Sequence, residues 1–84
     1  MKHKTTSAFW QLYDALPPSV QELADRNFEL LKADPFHPSL HFKQVGRAWS
    51  ARVGRGWRAL AVRDGDEFLW FWIGSHAEYD KRLK

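Results

Sequence analysis

The spacing of apolar residues changes near Leu40, and this change constrains the fold more than any other feature of the sequence. Before Leu40, apolar residues recur every three or four positions, which is the period of one face of an α-helix. One such series is Phe9, Leu12, Tyr13 and Leu16. From Leu40 onward apolar and polar residues alternate, first in the segment 40–45, which is the period of a β-strand. The chain is therefore predicted to begin with helices and to continue as a sheet.

Two amphipathic helices are predicted before this change. Thr6 or Ser7 can cap the first helix, and the pair Pro17-Pro18 ends it. Ser19 is followed three residues later by Glu22, which is the spacing of a capping box, so the second helix is predicted to begin there. Its apolar face consists of Val20, Leu23, Ala24, Phe28 and Leu31.

Four strands joined by three tight turns are predicted after the change. Gly46-Arg47 can form a two-residue turn, and Gly54–Gly56 can form a short hairpin loop. Asp64-Gly65 is the strongest two-residue hairpin signal in the chain. Three consecutive hairpins make a four-stranded antiparallel meander.

The last predicted strand, residues 67–73, is apolar on both faces and therefore needs cover on both. The two helices can cover one face. A short final helix, with a capping box at Ser75 and Glu78, runs through Leu83 and can cover part of the other. On that second face we expect Phe68, Trp70 and Trp72, either packed under the final helix or covered by a protein partner.

The predicted fold is therefore α+β and forms a single domain over residues 1–84. Two N-terminal helices pack on a four-stranded antiparallel meander, and a short C-terminal helix follows the sheet.

The composition limits the classes of site and of location. The 84 residues contain no cysteine, so a disulfide framework and a thiolate zinc site are excluded. Pro38 separates His37 from His41, which rules out a helical pair of metal ligands, and neither a metal nor another cofactor is expected. No signal peptide is visible and no apolar run reaches the length of about 18 residues that spans a bilayer. A cytoplasmic protein without membrane contact is expected.

Basic residues are concentrated in the middle of the chain. The segment from Pro35 to Arg63 contains no aspartate or glutamate. Its basic residues are Lys43, Arg47, Arg52, Arg55, Arg58 and Arg63. Such an asymmetry fits either a polyanion partner or a solvated basic surface, and charge alone leaves both open.

Hairpin geometry distinguishes these arginines from one another. Arg52 and Arg58 are predicted on neighbouring antiparallel strands near the same turn, whereas Arg55 lies at the tip of the turn. Arg58 shares its face with Leu60 and Val62, so its guanidinium should be partly enclosed and needs a partner. That partner is either an anionic ligand or groups elsewhere in the protein.

His76 occupies the first position of the final helix if Ser75 caps it. A helix start offers unpaired amides to an anion such as phosphate, and an imidazole can exchange a proton near pH 7. Tyr79 lies three residues later on the same face, where it can stack on a base, bind a phosphate or join in proton transfer. Both residues could also serve only in capping and packing.

The order of four motifs is more specific than any one of them. A helical hairpin precedes "FKQVG" at 42–46, "WSARVGRGWRALAV" at 49–62, "FLWFWIG" at 68–74 and "SHAEYDKRL" at 75–83. This order resembles the RelE/ParE superfamily of small bacterial toxins from type II toxin–antitoxin systems, over residues 8–84. Members usually begin with an apolar strand, but residues 2–6 are polar, so a short edge strand and no strand both remain open.

The resemblance implies a function and a set of roles. Many members are metal-independent endoribonucleases that cut messenger RNA on the ribosome and are held inactive by an antitoxin protein. It implies that Arg52 and Arg58 bind phosphate and stabilise the transition state, with His76 and Tyr79 as acid/base or stacking residues. Lys43 resembles basic residues that assist in several members. His41 and Arg55 are further candidates for contact with RNA. Two alternatives remain: a ParE-type inhibitor of DNA gyrase, and an RNA-binding module without catalysis.

Overall fold

The computed structural model describes residues 1–82, and the predicted end of the last helix at Leu83 lies outside them. In chain order the elements are β1 (Lys2–Thr5), α1 (Ser7–Asp14), α2 (Pro18–Ala33), a 3-10 turn (Pro38–Leu40), β2 (Lys43–Val45), β3 (Ala48–Gly54), β4 (Trp57–Asp64), β5 (Glu67–Ser75) and α3 (His76–Arg82). The α+β class is confirmed. Within residues 1–82, no helix combines the length and the apolar character needed to cross a membrane.

The strands form one sheet in the order β1-β5-β4-β3-β2. Strands β2 to β5 are the predicted antiparallel meander. Strand β1 adds a fifth strand at the edge, parallel to β5, with Lys2 opposite Glu67 and Thr5 opposite Trp70. The open question about residues 2–6 is thus answered by a short edge strand, and the predicted count of four strands was one too low.

The start of each N-terminal helix depends on its local sequence. Thr6 caps α1, since its Oγ1 accepts a hydrogen bond of 3.1 Å from the Phe9 N–H. Helix α2 begins at Pro18, and no side chain caps it, so the predicted capping box at Ser19 was wrong. Proline suits the first position of a helix because that residue's N–H would lack an intrahelical partner in any case.

Two predicted strand boundaries also shift. Strand β2 begins at Lys43 rather than Leu40, because Leu40 belongs to the 3-10 turn and His41 adopts a left-handed conformation with φ 45°. The last turn is Gly65-Asp66 rather than Asp64-Gly65. Asp64 still pairs with Glu67 in the ladder, and the positive φ of 61° falls on Gly65.

A β-bulge in β5 decides which aromatic side chains face which layer. Leu60 pairs with Trp72 whereas the next residue of β4 pairs with Trp70, so Phe71 is an extra residue in β5. Phe68 and Trp70 consequently pack in the main core with α1 and α2, and Trp72 packs on the opposite face with Leu60 and Tyr79. The prediction that all three aromatic residues share one face was wrong. Phe68 and Trp70 are buried within the chain itself and need no partner to cover them.

Candidate functional site

Arg52 and Arg58 lie directly opposite each other on β3 and β4. Residues that face each other across an antiparallel pair project from the same side of the sheet. Alternation along β3 sends Ala51 and Val53 into the core beneath α1 and α2, so the two arginines lie on the side that carries α3. The sequence prediction placed this pair correctly.

Arg58 is buried, with 8% of its surface exposed, and its polar contacts come from neutral groups. Its Nε donates to Ser50 Oγ at 2.9 Å, and its Nη2 donates to the same oxygen at 2.7 Å. Nη2 also contacts the His41 carbonyl at 3.5 Å. Within residues 1–82, no carboxylate forms an ion pair with Arg58. The positive charge is therefore held by neutral oxygens in a partly desolvated place.

The ring of Tyr79 covers one side of this guanidinium. The Arg58 Cζ lies 5.1 Å from the ring centroid, and Tyr79 is itself buried against Leu60 and Trp72. Cation–π attraction in such a desolvated setting restrains the arginine further. Tyr79 thus contacts Arg58 through its ring.

His76 and Tyr79 are brought together at the start of α3, with their ring centroids 5.6 Å apart. The predicted cap is confirmed, since Ser75 Oγ accepts a hydrogen bond of 3.2 Å from the Glu78 N–H. The His76 N–H donates to the Gly56 carbonyl at 2.7 Å, which fastens this helix start to the β3–β4 turn. The imidazole is about half exposed, and its Nδ1 lies 3.2 Å from Asp80 Oδ2.

The three residues predicted to contact RNA lie near Arg58 or in the turn that precedes its strand. Lys43 is opposite Ser50 in the β2–β3 ladder, so it shares the face of Arg58, and its side chain is exposed. His41 contributes its carbonyl to Arg58. Arg55 is exposed in the two-residue turn between β3 and β4.

Two residues that the sequence analysis did not assign to the site contact its predicted members. Ser50 is fully buried beside Arg58, and Asp80 contacts His76. The sequence held a signal for each. Ser50 lies two residues before Arg52 and therefore on the same face of the strand. Asp80 follows His76 at the i,i+4 spacing of neighbours on a helix. In the part of the chain that the structure describes, no three histidine, aspartate or glutamate side chains come close enough to hold a metal ion.

Two opposed arginines and an exposed lysine thus lie on one face of the small sheet, beside a helix start that carries a histidine. A family model for the ParE-like toxin domain matches residues 18–81. The chain belongs to the ParE-like toxin family. This confirms the resemblance to the RelE/ParE superfamily.

Solved structures share the fold of this ParE-like chain at low sequence identity. The RelB–RelE antitoxin–toxin complex from Methanococcus jannaschii matches with a TM-score of 0.74 and 12% identity, covering 96% of this chain and 99% of that chain. The isolated E. coli RelE toxin matches with a TM-score of 0.65 and 12% identity, over 99% and 98% of the two chains. The toxin–antitoxin complex RelBE2 from Mycobacterium tuberculosis matches with a TM-score of 0.64 and 18% identity, covering 89% of this chain and 96% of that chain. A search of curated proteins returns no match.

Proposed function

We propose that this ParE-like chain is the toxin of a type II toxin–antitoxin system and that it cleaves messenger RNA on the ribosome without a metal ion. The observation that carries the proposal is Arg58, a buried guanidinium held by neutral oxygens and paired with no carboxylate within residues 1–82. A charge held in this way is arranged to meet an anion that arrives from outside.

The chemistry requires little beyond fixed charges and one proton-transfer group. The 2′-hydroxyl of RNA attacks the adjacent phosphorus, the bond to the 5′-oxygen breaks, and the products carry a 2′,3′-cyclic phosphate and a 5′-hydroxyl. Arg58 and Arg52 would stabilise the additional negative charge of the pentacoordinate phosphorus. Fixed donors in a desolvated place are effective because they do not have to reorient during the reaction.

His76 is the proposed proton-transfer group. Its Nδ1 lies against Asp80, so the neutral imidazole would direct Nδ1–H to the carboxylate. Its Nε2 would take the proton from the attacking 2′-hydroxyl and return it to the leaving 5′-oxygen. Lys43, exposed on the same face, would contact the RNA backbone, as would Arg55 at the neighbouring turn.

An antitoxin protein is the proposed partner. Two of the structures that share this fold are described as toxin–antitoxin complexes, which supports a partner of the same kind for this chain.

Induction of the chain in a bacterium, followed by primer-extension mapping of cellular messages, tests the proposal. Wild type should produce cuts within codons, and Arg58→Ala should reduce them by about 100-fold, the effect typical of losing one transition-state donor. Arg26→Ala is the matched control, because Arg26 is an exposed arginine on α2, the helix layer on the other side of the sheet. It should cut like the wild type.

Other outcomes would replace the proposal. Intact messages together with blocked DNA supercoiling would identify a gyrase inhibitor. Full cleavage by Arg58→Ala would remove Arg58 from the mechanism.

A further inference from the structure

Ser50 is an unusual residue for the middle of a small sheet. It lies on β3 and is fully buried, with 0% of its surface exposed. A buried hydroxyl is tolerated when its hydrogen-bonding capacity is used, and leaving it unpaired destabilises the protein. The partner of Ser50 is Arg58, across the β3–β4 ladder.

The two hydrogen bonds use the whole acceptor capacity of the serine. A hydroxyl oxygen has two lone pairs, and Arg58 donates to Oγ through both Nε and Nη2. The remaining Nη2 proton is directed to the His41 carbonyl at 3.5 Å. Three of the five guanidinium donors are thereby engaged.

The donors already in use determine which N–H groups of Arg58 can still bind a ligand. Among residues 1–82 no group accepts a hydrogen bond from Nη1. The Tyr79 ring covers one face of the guanidinium. The guanidinium is therefore restrained by this ring as well as by the hydrogen bonds to Ser50. The two N–H groups of Nη1 are therefore the end that is left for a ligand.

We infer that Ser50 is a positioning residue for an anion site: it holds the Nε–Nη2 edge of Arg58 so that Nη1 alone is presented to a phosphate oxygen. This inference deepens the proposed function and rests on it for the identity of the phosphate, which is that of RNA. Orientation set before the substrate arrives lowers the entropy lost in reaching the transition state.

A double-mutant cycle on ribosome-bound message tests the positioning role. Ser50→Ala should lower kcat by about tenfold with KM unchanged, since one or two hydrogen bonds that orient a charged group are lost. In an Arg58→Ala background the same change should have no further effect, because Ser50 acts through Arg58. Ser50→Thr, which keeps the hydroxyl, should restore activity, and Ser19→Ala, at an exposed serine of α2, should behave as wild type.

A merely structural role gives a different pattern. Ser50→Ala would then lower stability and activity to the same extent with or without Arg58, and the inference would be overturned. Thermal unfolding of all four members of the cycle measures this directly.

A second measurement does not depend on cleavage. The Arg58 Nε–H resonance, identified by its loss in Arg58→Lys, should exchange slowly with solvent in the wild type and at least about tenfold faster in Ser50→Ala. Inorganic phosphate, used as the probe, should perturb this resonance in the wild type and less in Ser50→Ala. Equal exchange in both proteins would overturn the positioning role. If the wild type leaves ribosome-bound message intact but Nε–H exchange still depends on Ser50, the proposed function fails and the positioning role stands.

Discussion

Arg52 and Arg58 face each other across the β3–β4 ladder, and within residues 1–82 neither of them pairs with a carboxylate. Like charges directly opposite each other in an antiparallel pair destabilise it, by up to about 1 kcal/mol. Ser50 and His41 neutralise none of this repulsion, since they offer only neutral oxygens to Arg58. The pair should therefore lower the stability of the free protein, and a bound anion would relieve the repulsion.

Removing one charge of the pair should therefore have opposite effects on stability and activity. We expect Arg52→Thr to raise the free energy of unfolding by about 0.5 kcal/mol, because the repulsion disappears and a β-branched residue suits a strand. The same variant should cleave less message than the wild type. Urea denaturation and primer extension measure the two effects. Arg47→Ala, at an exposed turn residue, should change neither, and a loss of stability in Arg52→Thr would contradict the interpretation.

Tyr79 should act mainly through its ring. Its ring contacts the Arg58 guanidinium, the buried Leu60 and Trp72, and the His76 ring. Its hydroxyl makes no hydrogen bond to other residues in the described range 1–82. Tyr79→Phe should keep the free energy of unfolding and most of the cleavage activity. Tyr79→Ala should lose about 3 kcal/mol of stability through the cavity it leaves, and with it the activity. A large loss of cleavage in Tyr79→Phe, at unchanged thermal stability, would instead assign the hydroxyl to the chemistry.

The elements that could be predicted from the sequence are those whose signals are local. Helix α1 follows from its apolar spacing and from Thr6, and the helix start at His76 follows from Ser75. The Arg52–Arg58 pairing follows from a short turn between two alternating strands, because hairpin register is set by the turn. These signals were sufficient to place Arg52 opposite Arg58 and His76 at the start of α3.

The features that could not be predicted depend on distant parts of the chain. Strand β1 pairs with β5, which is more than sixty positions away, and of its residues only His3 is partly buried, so no alternation marks it. The bulge at Phe71 cannot be recognised in a run of consecutive aromatic residues, because all of them suit either face of the sheet. It nevertheless places Trp70 and Trp72 on opposite faces. Alternation places Ser50 on the strand face of Arg52, but it does not show that the serine hydroxyl binds Arg58 on the neighbouring strand.

His3 should make the protein less stable in mild acid. The Trp70 indole N–H donates to His3 Nδ1 at 3.0 Å, so this nitrogen must be unprotonated in the folded protein. Burial, and then the positive charges of the Met1 amine and Lys32, lower the pKa of His3 below its ordinary value of 6.5. As the pH falls below 6.5, the unfolded chain takes up a proton before the folded protein does. The contribution of neutral His3 to stability is therefore complete above pH 6.5 and is lost as the pH falls toward the pKa of His3 in the folded protein.

The urea midpoint at pH 7.5 and at lower pH values measures this dependence. His3→Phe keeps an aromatic ring beside Phe68 and Trp70 but cannot titrate, so its midpoint should fall less between neutral and mildly acidic pH than that of the wild type. An unchanged slope in His3→Phe would show that another group controls the acid sensitivity.

Gly74 should be intolerant of even one added methyl group, because the indole of Trp72 occupies the space beside it. A Cβ at Gly74 would lie 2.6 Å from Trp72 Cζ2, closer than two carbon atoms can approach, and Gly74 is paired with Arg58 in the ladder. Gly74→Ala should therefore displace the indole, which packs with Tyr79 in the layer over Arg58, and lower the free energy of unfolding by about 2 kcal/mol. Near-ultraviolet circular dichroism and urea denaturation should detect both effects. A smaller ring relieves the clash, so Gly74→Ala should destabilise a Trp72→Phe protein less than it destabilises the wild type. Equal losses in the two backgrounds would mean that the clash with the indole is not what destabilises Gly74→Ala.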